Sequence, residues 1–245
     1  MQWSDEGIIL SVRPHGETAA IAEILTRAHG RHLGLVHGGR SRKLRPVLQT
    51  GNHVDATWKA RLAEQLGHVG VELRKGYAAQ AMDDPLALAG LSSLCALARL
   101  LPERDPHPSL FEVALFVLGY LDEPDVWPAL MVRWELALLD ELGFGLDLAA
   151  CAATGAKEDL VFVSPKSGRA VSAAAGQEYK DRLLRLPDFL TKARQGVVTL
   201  GDVVAGLDLT GHFLETRVLI PRGETMPPTR VRFKDLMTRR ADQAA

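Results

Sequence analysis

Cysteines, aromatic residues and long apolar runs are all scarce in this sequence. The 245 residues include two cysteines, Cys95 and Cys151, and 6% of residues are Phe, Trp or Tyr. Two cysteines in different predicted elements argue against a disulfide scaffold and are typical of a cytosolic protein. Every apolar stretch is interrupted well before the ~20 residues that a membrane helix needs, so we expect no membrane span. The segment Met1–Glu6 has neither the basic nor the apolar region of a secretory signal.

Signatures of catalysis are missing as well. The sequence has no Gly-x-x-x-x-Gly-Lys-Ser/Thr loop, no Gly-x-Ser-x-Gly elbow and no His-Glu-x-x-His pair. We therefore predict a protein that is not an enzyme, with no catalytic residues and no cofactor.

Positive charge is concentrated in one segment. Residues 24–54 contain six Arg or Lys side chains and no Asp or Glu, although the formal net charge of the chain is −1. Within this segment, residues 37–46 combine glycines, a proline and cations, which predicts a loop. Several flexible cations suit a repeating polyanion because each can neutralise one phosphate, although a merely solvated loop has the same composition. The candidate phosphate contacts are Arg31, Arg40, Arg42, Lys43 and Arg45.

The first part of the chain, up to about residue 76, has the pattern of short strands. The predicted strands cover residues 7–13, 19–26, 32–37, 52–60 and 67–74. Five short strands without a long helix indicate a small barrel. The pattern fits an OB-type barrel and an SH3-like barrel equally well, and the strands alone do not choose between them.

Helical spacing begins near residue 82. Asp83-Asp84-Pro85 has the composition of a helix start, and leucines then recur at three- and four-residue intervals up to Pro102. Further helices are predicted over about 109–121 and from about 123 to Gly143, and a hairpin over 160–172. A second basic run at the carboxyl end either extends the basic track or forms a solvated or disordered tail, and we slightly favour the tail. That run contains Arg230, Arg232, Lys234, Arg239 and Arg240.

Several short motifs together resemble the RecO family of recombination mediators. They occur in the order and approximate spacing that the family uses, and they cover most of the chain. The motifs are Asp5–Leu10, Gly16–Thr18, Gly38–Arg40, Leu142–Leu148, Cys151, Gly155 and Phe162–Gly168.

The resemblance implies an α+β protein with an amino-terminal five-stranded OB-type barrel over residues 1–80. An α-helical domain would follow over 81–245, with a hairpin insertion at about 149–176 that resembles a degenerate zinc finger. It also implies binding of single- and double-stranded DNA and annealing of complementary strands. The implied partners are RecR, the C-terminal tail of the single-strand-binding protein SSB and, indirectly, the recombinase RecA. The implied location is the cytoplasm, in association with the nucleoid.

The hairpin departs from the family pattern at its metal ligands. Family members often have two Cys-x-x-Cys pairs that hold a structural zinc. Here the first pair has become Cys151 and Thr154, and the second has become Ser172 and Ala175. Because a tetrahedral zinc site needs four Cys or His ligands, we predict no metal and a Cys151 that is a small buried side chain.

The mode of DNA binding and the partner contacts are less well marked. Trp58 is the nearest aromatic residue to the basic loop, so stacking should contribute less than charge. An acidic SSB tail with an apolar end suits an apolar groove rimmed by arginine, for which Arg99, Arg104 and Arg133 are candidates. Two alternatives remain: an RNA-binding OB-fold protein, and a non-catalytic scaffold whose basic loop docks an acidic protein partner.

Overall fold

The computed structural model describes residues 1–62, 64–191 and 197–244. It confirms an α+β chain in which a five-stranded sheet is followed by helices. The five strands are β1 (Gln2–His15), β2 (Ala19–Thr26), β3 (Gly30–Val36), β4 (His53–Lys59) and β5 (His68–Lys75).

The five strands close into a barrel in the order β1-β2-β3-β5-β4. Strand β1 is long enough to pair with two strands. Its first half pairs with β4 and its second half with β2, and the β1–β2 pairing shifts register between Ile9 and Ser11. The ring is closed by a parallel contact between β3 and β5 at Leu35 and His68. Alternating apolar side chains of the strands fill the interior, as the period of two predicts. They include Ile9, Ala22, Ile24, Val36, Val54, Trp58 and Val69.

Three helices belong to the same compact unit as the barrel, which spans Met1–Pro124. They are α1 (Tyr77–Ala81), α2 (Pro85–Ala98) and α3 (Pro108–Gly119). Helix α2 begins as predicted, because Asp84 accepts a hydrogen bond from the Leu86 backbone N–H at 2.8 Å and Pro85 occupies the first turn. It packs on the barrel, where the Cys95 Sγ lies 3.7 Å from the carbonyl oxygen of Ile9.

The second compact unit spans Asp125–Ala245. The predicted hairpin is present as β6 and β7, and a short third strand, β8, pairs with β6. Leucine-rich α4 carries Trp127 and Trp134, and both are fully buried core residues. The elements are α4 (Trp127–Glu141), β6 (Leu160–Val163), β7 (Ala170–Ser172), α5 (Ala173–Gly176), β8 (Leu184–Arg185), α6 (Leu200–Phe213) and α7 (Pro228–Ala244).

The carboxyl-terminal basic run forms α7, so the interpretation as a disordered tail is wrong. Phe233 and Met237 are fully buried, and the Phe233 ring stacks on Trp127 with centroids 5.3 Å apart. Arg230 is buried to 2% exposure and pairs with the fully buried Glu135 of α4. The apolar stripe and this ion pair give the helix a fixed position in its unit, since a helix this polar gains little stability from its other faces.

Among the described helices, none combines the length and the apolar character that crossing a membrane requires.

Candidate nucleic-acid interface

The basic loop connects β3 to β4 and is fixed to the barrel by its apolar residues. Leu48 is buried, and Leu44 and Val47 pack against the barrel core. At the end of the loop, the Asn52 side-chain amide donates to the carbonyls of Pro46 and Val47 at 2.9 and 3.1 Å. The loop residues between these anchors are therefore held outward, toward solvent.

Arg40 ties the start of the loop to the turn between β1 and β2. Its Nη1 donates to the carbonyls of Gly16 and Glu17 at 3.0 and 2.9 Å, and its backbone N–H donates to the carbonyl of Thr18 at 3.0 Å. The side chain remains exposed. Arg40 thus positions the loop while it still adds positive charge to the surface.

Arg42, Lys43 and Arg45 are the cations of the loop that face solvent. All three are exposed. Among the residues that the structure describes, none of their charged groups has a hydrogen-bond or ion-pair partner within contact distance. Three cations within four residues repel one another unless an anion neutralises them. Such an arrangement is suited to a polyanionic ligand that passes over the loop.

Arg31 does not join these cations, although the sequence groups it with them. Its guanidinium donates to Glu23, and its Nε donates to the carbonyl of Leu101 at 2.8 Å. The side chain is only 16% exposed. Its charge is therefore used inside the first unit, to neutralise a buried carboxylate, rather than presented to a ligand.

Glu23 also forms an ion pair with Arg99, which is one of the candidate partner-binding arginines. Arg99 Nε donates to Glu23 Oε2 at 2.7 Å. Burial by itself raises the pKa of Glu23, but hydrogen bonds from Arg31 and Ser11 and the charge of Arg99 outweigh it, and the pKa falls below its ordinary value. Arg99 is therefore partly committed to holding this carboxylate.

The other two candidate partner-binding arginines contact backbone carbonyls. Arg104 Nη2 lies 3.3 Å from the carbonyl of Gln65, and the residue adopts a positive φ of 64°. In the second unit, Arg133 Nη2 donates to the carbonyl of Phe189 at 2.6 Å. Both side chains are otherwise exposed, so each retains charge for an acidic ligand.

Trp58, the aromatic residue nearest the loop in sequence, is a core residue. It is 3% exposed, and its indole N–H donates to the carbonyl of Leu66 at 3.1 Å. Trp3 is half-buried and stacks on His29 and on Trp58, with ring centroids 4.3 and 5.7 Å apart. Both tryptophans therefore already pack against side chains of their own unit.

The hairpin of the second unit encloses Cys151, where the family pattern places a zinc ligand. Its Sγ accepts hydrogen bonds from the backbone N–H and the hydroxyl of Ser172 at 3.3 and 3.4 Å. Burial alone raises the pKa of Cys151, but hydrogen bonds from Ser172 and Thr154 outweigh it and lower the pKa to about 6. Two former ligand positions thus stabilise the sulfur by hydrogen bonds. One Cys with Thr, Ser and Ala is not a zinc donor set, and the described residues contain no cluster of three or more His, Cys, Asp or Glu side chains placed to hold a metal.

We expect protein purified without chelator to contain far less than one zinc per chain. The variant Thr154→Cys, Ser172→Cys, Ala175→Cys restores four thiols, and it should bind about one zinc per chain because thiolates supply most of the affinity. Metal content is measured by atomic emission on both proteins. A zinc content near one per chain in the unsubstituted protein would contradict this prediction.

Comparison with known proteins covers both parts of the chain. Residues 1–77 match the family model described as "Recombination protein O N terminal", and residues 82–225 match "Recombination protein O C terminal". Curated relatives named "DNA repair protein RecO" are similar over nearly their full length. The relative from Methylobacterium nodulans is 57% identical over 97% of this chain and 98% of its own. The relative from Rhodospirillum centenum is 53% identical, with coverages of 96% and 94%.

A third relative, from Rhodopseudomonas palustris, is 52% identical and covers 100% of this chain and 99% of its own. Identities of 52–57% over nearly the full length are far above the identity that unrelated chains of this length show by chance. The chain belongs to the RecO family of DNA repair and recombination proteins.

Proposed function

We propose that this protein binds single- and double-stranded DNA through its basic loop and anneals complementary strands. The observation that carries the proposal is the exposure of Arg42, Lys43 and Arg45 without an anionic partner among the described residues, next to Arg40. Arg31 is left out of the proposed contact surface because Glu23 already neutralises it.

The proposed mechanism is electrostatic. Cations that contact backbone phosphates release condensed counterions, so affinity depends little on base sequence and falls steeply with salt. Neutralising two strands at once lowers their mutual repulsion and lets complementary bases meet. This process requires neither nucleotide hydrolysis nor a catalytic group, in agreement with the prediction that the protein is not an enzyme.

We further propose that the barrel is of the OB type and that the DNA-binding domain is residues 1–80. The strand order β1-β2-β3-β5-β4, with a closing parallel contact, supports the OB assignment. The two family models change over between residues 77 and 82, which supports the boundary, although α1–α3 lie in the same compact unit as the barrel. The helical domain would then be 81–245, with the degenerate zinc-finger-like hairpin at about 149–176.

Membership of the RecO family supports three partners as proposals: RecR, the C-terminal tail of SSB, and RecA as the recombinase that is loaded in consequence. A protein that acts on these partners and on DNA works at the nucleoid, in the cytoplasm.

The proposal is tested by fluorescence anisotropy of labelled single-stranded DNA over a salt series, followed by an annealing assay with complementary strands. We expect log affinity to fall linearly with log salt concentration and annealing to proceed without nucleotide. Stronger binding to RNA of the same sequence would favour an RNA-binding protein. No binding at low salt would favour a scaffold that docks an acidic protein.

For the SSB contact, we expect Arg133→Glu to weaken binding of a labelled SSB tail peptide by about tenfold, since reversing a charge at the rim of a site repels an acidic ligand. Arg182→Glu, which reverses another exposed cation of the same unit, is the matched control and should leave the affinity unchanged. Anisotropy of the peptide measures both. Equal affinity in the two variants would remove Arg133 as a contact.

A further inference from the structure

Two histidines that are far apart in sequence form a stacked pair at the base of the basic loop. His37 follows the last residue of β3, and His68 is the first residue of β5. Their ring centroids are 4.6 Å apart with an interplanar angle of 22°, and both residues are exposed. The sequence gives no sign of this pair, because only the parallel contact that closes the barrel brings these strand ends together.

The backbone holds both histidines in place. The Leu35 N–H donates to the carbonyl of Gly67 at 3.0 Å, which fixes the end of β3 against the start of β5. Gly67 adopts a φ of +68°, and a Cβ there would lie 2.5 Å from the indole of Trp58. Only glycine allows the chain to pass this close to the indole. The packing of Gly67 on Trp58 therefore fixes the position of His68, the next residue.

The stacked pair has no visible role in the stability of the fold. Other histidines of the barrel do have acidic neighbours: His29 lies 3.1 Å from Asp5, and His53 lies 3.1 Å from Glu6. Among the described residues, neither imidazole of the His37–His68 pair has an ion-pair or hydrogen-bond partner. The pair is therefore two exposed, mutually stacked imidazoles at the start of the basic loop.

The position of the pair suits a single nucleic-acid strand. His37 is three residues before Arg40 and five before Arg42, so the pair lies where the chain enters the loop that carries the proposed phosphate contacts. The tryptophans of the barrel are less suited to this role, since Trp58 is buried and Trp3 already stacks on His29 and Trp58. Aromatic rings beside a basic groove are the usual combination for binding single strands, and histidine serves as such a ring.

We infer that the His37–His68 pair is a stacking platform for a base of single-stranded DNA whose phosphates lie on the basic loop. The inference rests on the proposed function, and it adds a contact that distinguishes a single strand from a duplex. Bases in a duplex are stacked on their neighbours and offer no free face to the imidazoles, whereas an unpaired base does. The pair therefore makes the protein prefer single strands, while the loop cations bind either form.

The test compares labelled oligothymidylate with an abasic oligonucleotide of the same length, which keeps the phosphates and lacks the bases. We expect the unsubstituted protein to bind oligothymidylate about tenfold more tightly than the abasic strand. His68→Ala and His37→Ala should each reduce this ratio to about one while affinity for the abasic strand is unchanged. His68→Phe should restore most of the ratio, because phenylalanine keeps the ring. His15→Ala, which removes an exposed histidine at the end of β1, is the matched control and should keep the full ratio.

The outcomes separate this inference from the proposed function. The stacking platform is overturned if the ratio of oligothymidylate affinity to abasic affinity is near one in the unsubstituted protein, or if it is unchanged in both alanine variants. In either case, salt-dependent binding of both strands would still support the phosphate contacts. Failure of both strands to bind at low salt overturns the stacking platform and the proposed DNA binding alike. A larger ratio with oligouridylate than with oligothymidylate overturns DNA as the occupant. Unchanged abasic affinity in each variant shows that it is folded.

Discussion

Reversing three loop charges together, in the variant Arg42→Glu, Lys43→Glu, Arg45→Glu, lowers the affinity for single-stranded DNA by about 100-fold at low salt. These side chains have no anionic partner among the described residues, so their loss removes phosphate contacts without breaking an internal interaction. The slope of log affinity against log salt should fall by about two, because each contact with a single strand contributes about 0.7. Anisotropy over a salt series measures both quantities.

A control with the same net charge separates loop contacts from a general charge effect. Lys157→Glu, Lys180→Glu, Arg182→Glu reverses three exposed cations of the second unit. We expect this variant to lose less than about threefold in affinity and to keep its salt slope, since these three cations are not among the proposed phosphate contacts and a general charge effect is screened by salt. Equal losses in the two triple variants, or a loss confined to particular DNA sequences, would refute the phosphate-track model. Arg40 is kept in both variants because it also holds the turn at Gly16 and Glu17.

The second large effect concerns stability. Arg230→Met is expected to lower the free energy of unfolding by about 3–5 kcal/mol, because it leaves the carboxylate of Glu135 buried without its cation. Arg230 Nε donates to Glu135 Oε1 at 2.5 Å and its Nη2 to Glu135 Oε2 at 2.9 Å, and the two side chains are 2% and 0% exposed. The same Nη2 donates to the carbonyl of Leu207 at 2.9 Å. Urea unfolding followed by circular dichroism measures the change.

Two further variants test the explanation. Replacing both charges, in Arg230→Met with Glu135→Leu, should recover most of the lost stability, since no uncompensated charge remains in the core. Lys234 lies one turn after Arg230 on α7 and forms an ion pair with Asp208 of α6, and both side chains are 40% or more exposed. Lys234→Met breaks this pair and should lower the free energy of unfolding by less than about 1 kcal/mol. A double variant that is as unstable as Arg230→Met would show that the packing of the guanidinium, rather than its charge, matters most.

Local patterns predicted the elements of the fold well. The β2 strand was predicted over the residues where it occurs, and the Asp84-Pro85 start of α2 was correct. These features depend on side-chain alternation and on capping by near neighbours, which the sequence displays directly. Strand β1 was predicted too short, because its amino-terminal half is polar on one face and is held by pairing with β4.

The roles of the individual arginines were not predictable in the same way. Arg31 and Arg42 look alike in the sequence, yet Arg31 neutralises buried Glu23, whereas Arg42 is exposed and has no ion-pair partner among the residues that the structure describes. Arg230 belongs to a run that resembles a solvated tail, yet it is among the most buried side chains of its unit. Whether a cation is internal depends on a carboxylate that folding brings to it, 8 positions away for Arg31 and 95 for Arg230, and composition does not record that contact.

The sequence by itself determined the class of protein, most of the helices and strands, the location of the basic loop and the lack of a four-cysteine set at the hairpin, because each of these can be read from residue types and their spacing along the chain. Only the tertiary structure decided which cations are free, that Cys151 is held by Ser172, and that His37 meets His68. These relations join residues between 8 and 95 positions apart, and they arise only when barrel closure and helix packing bring the partners together.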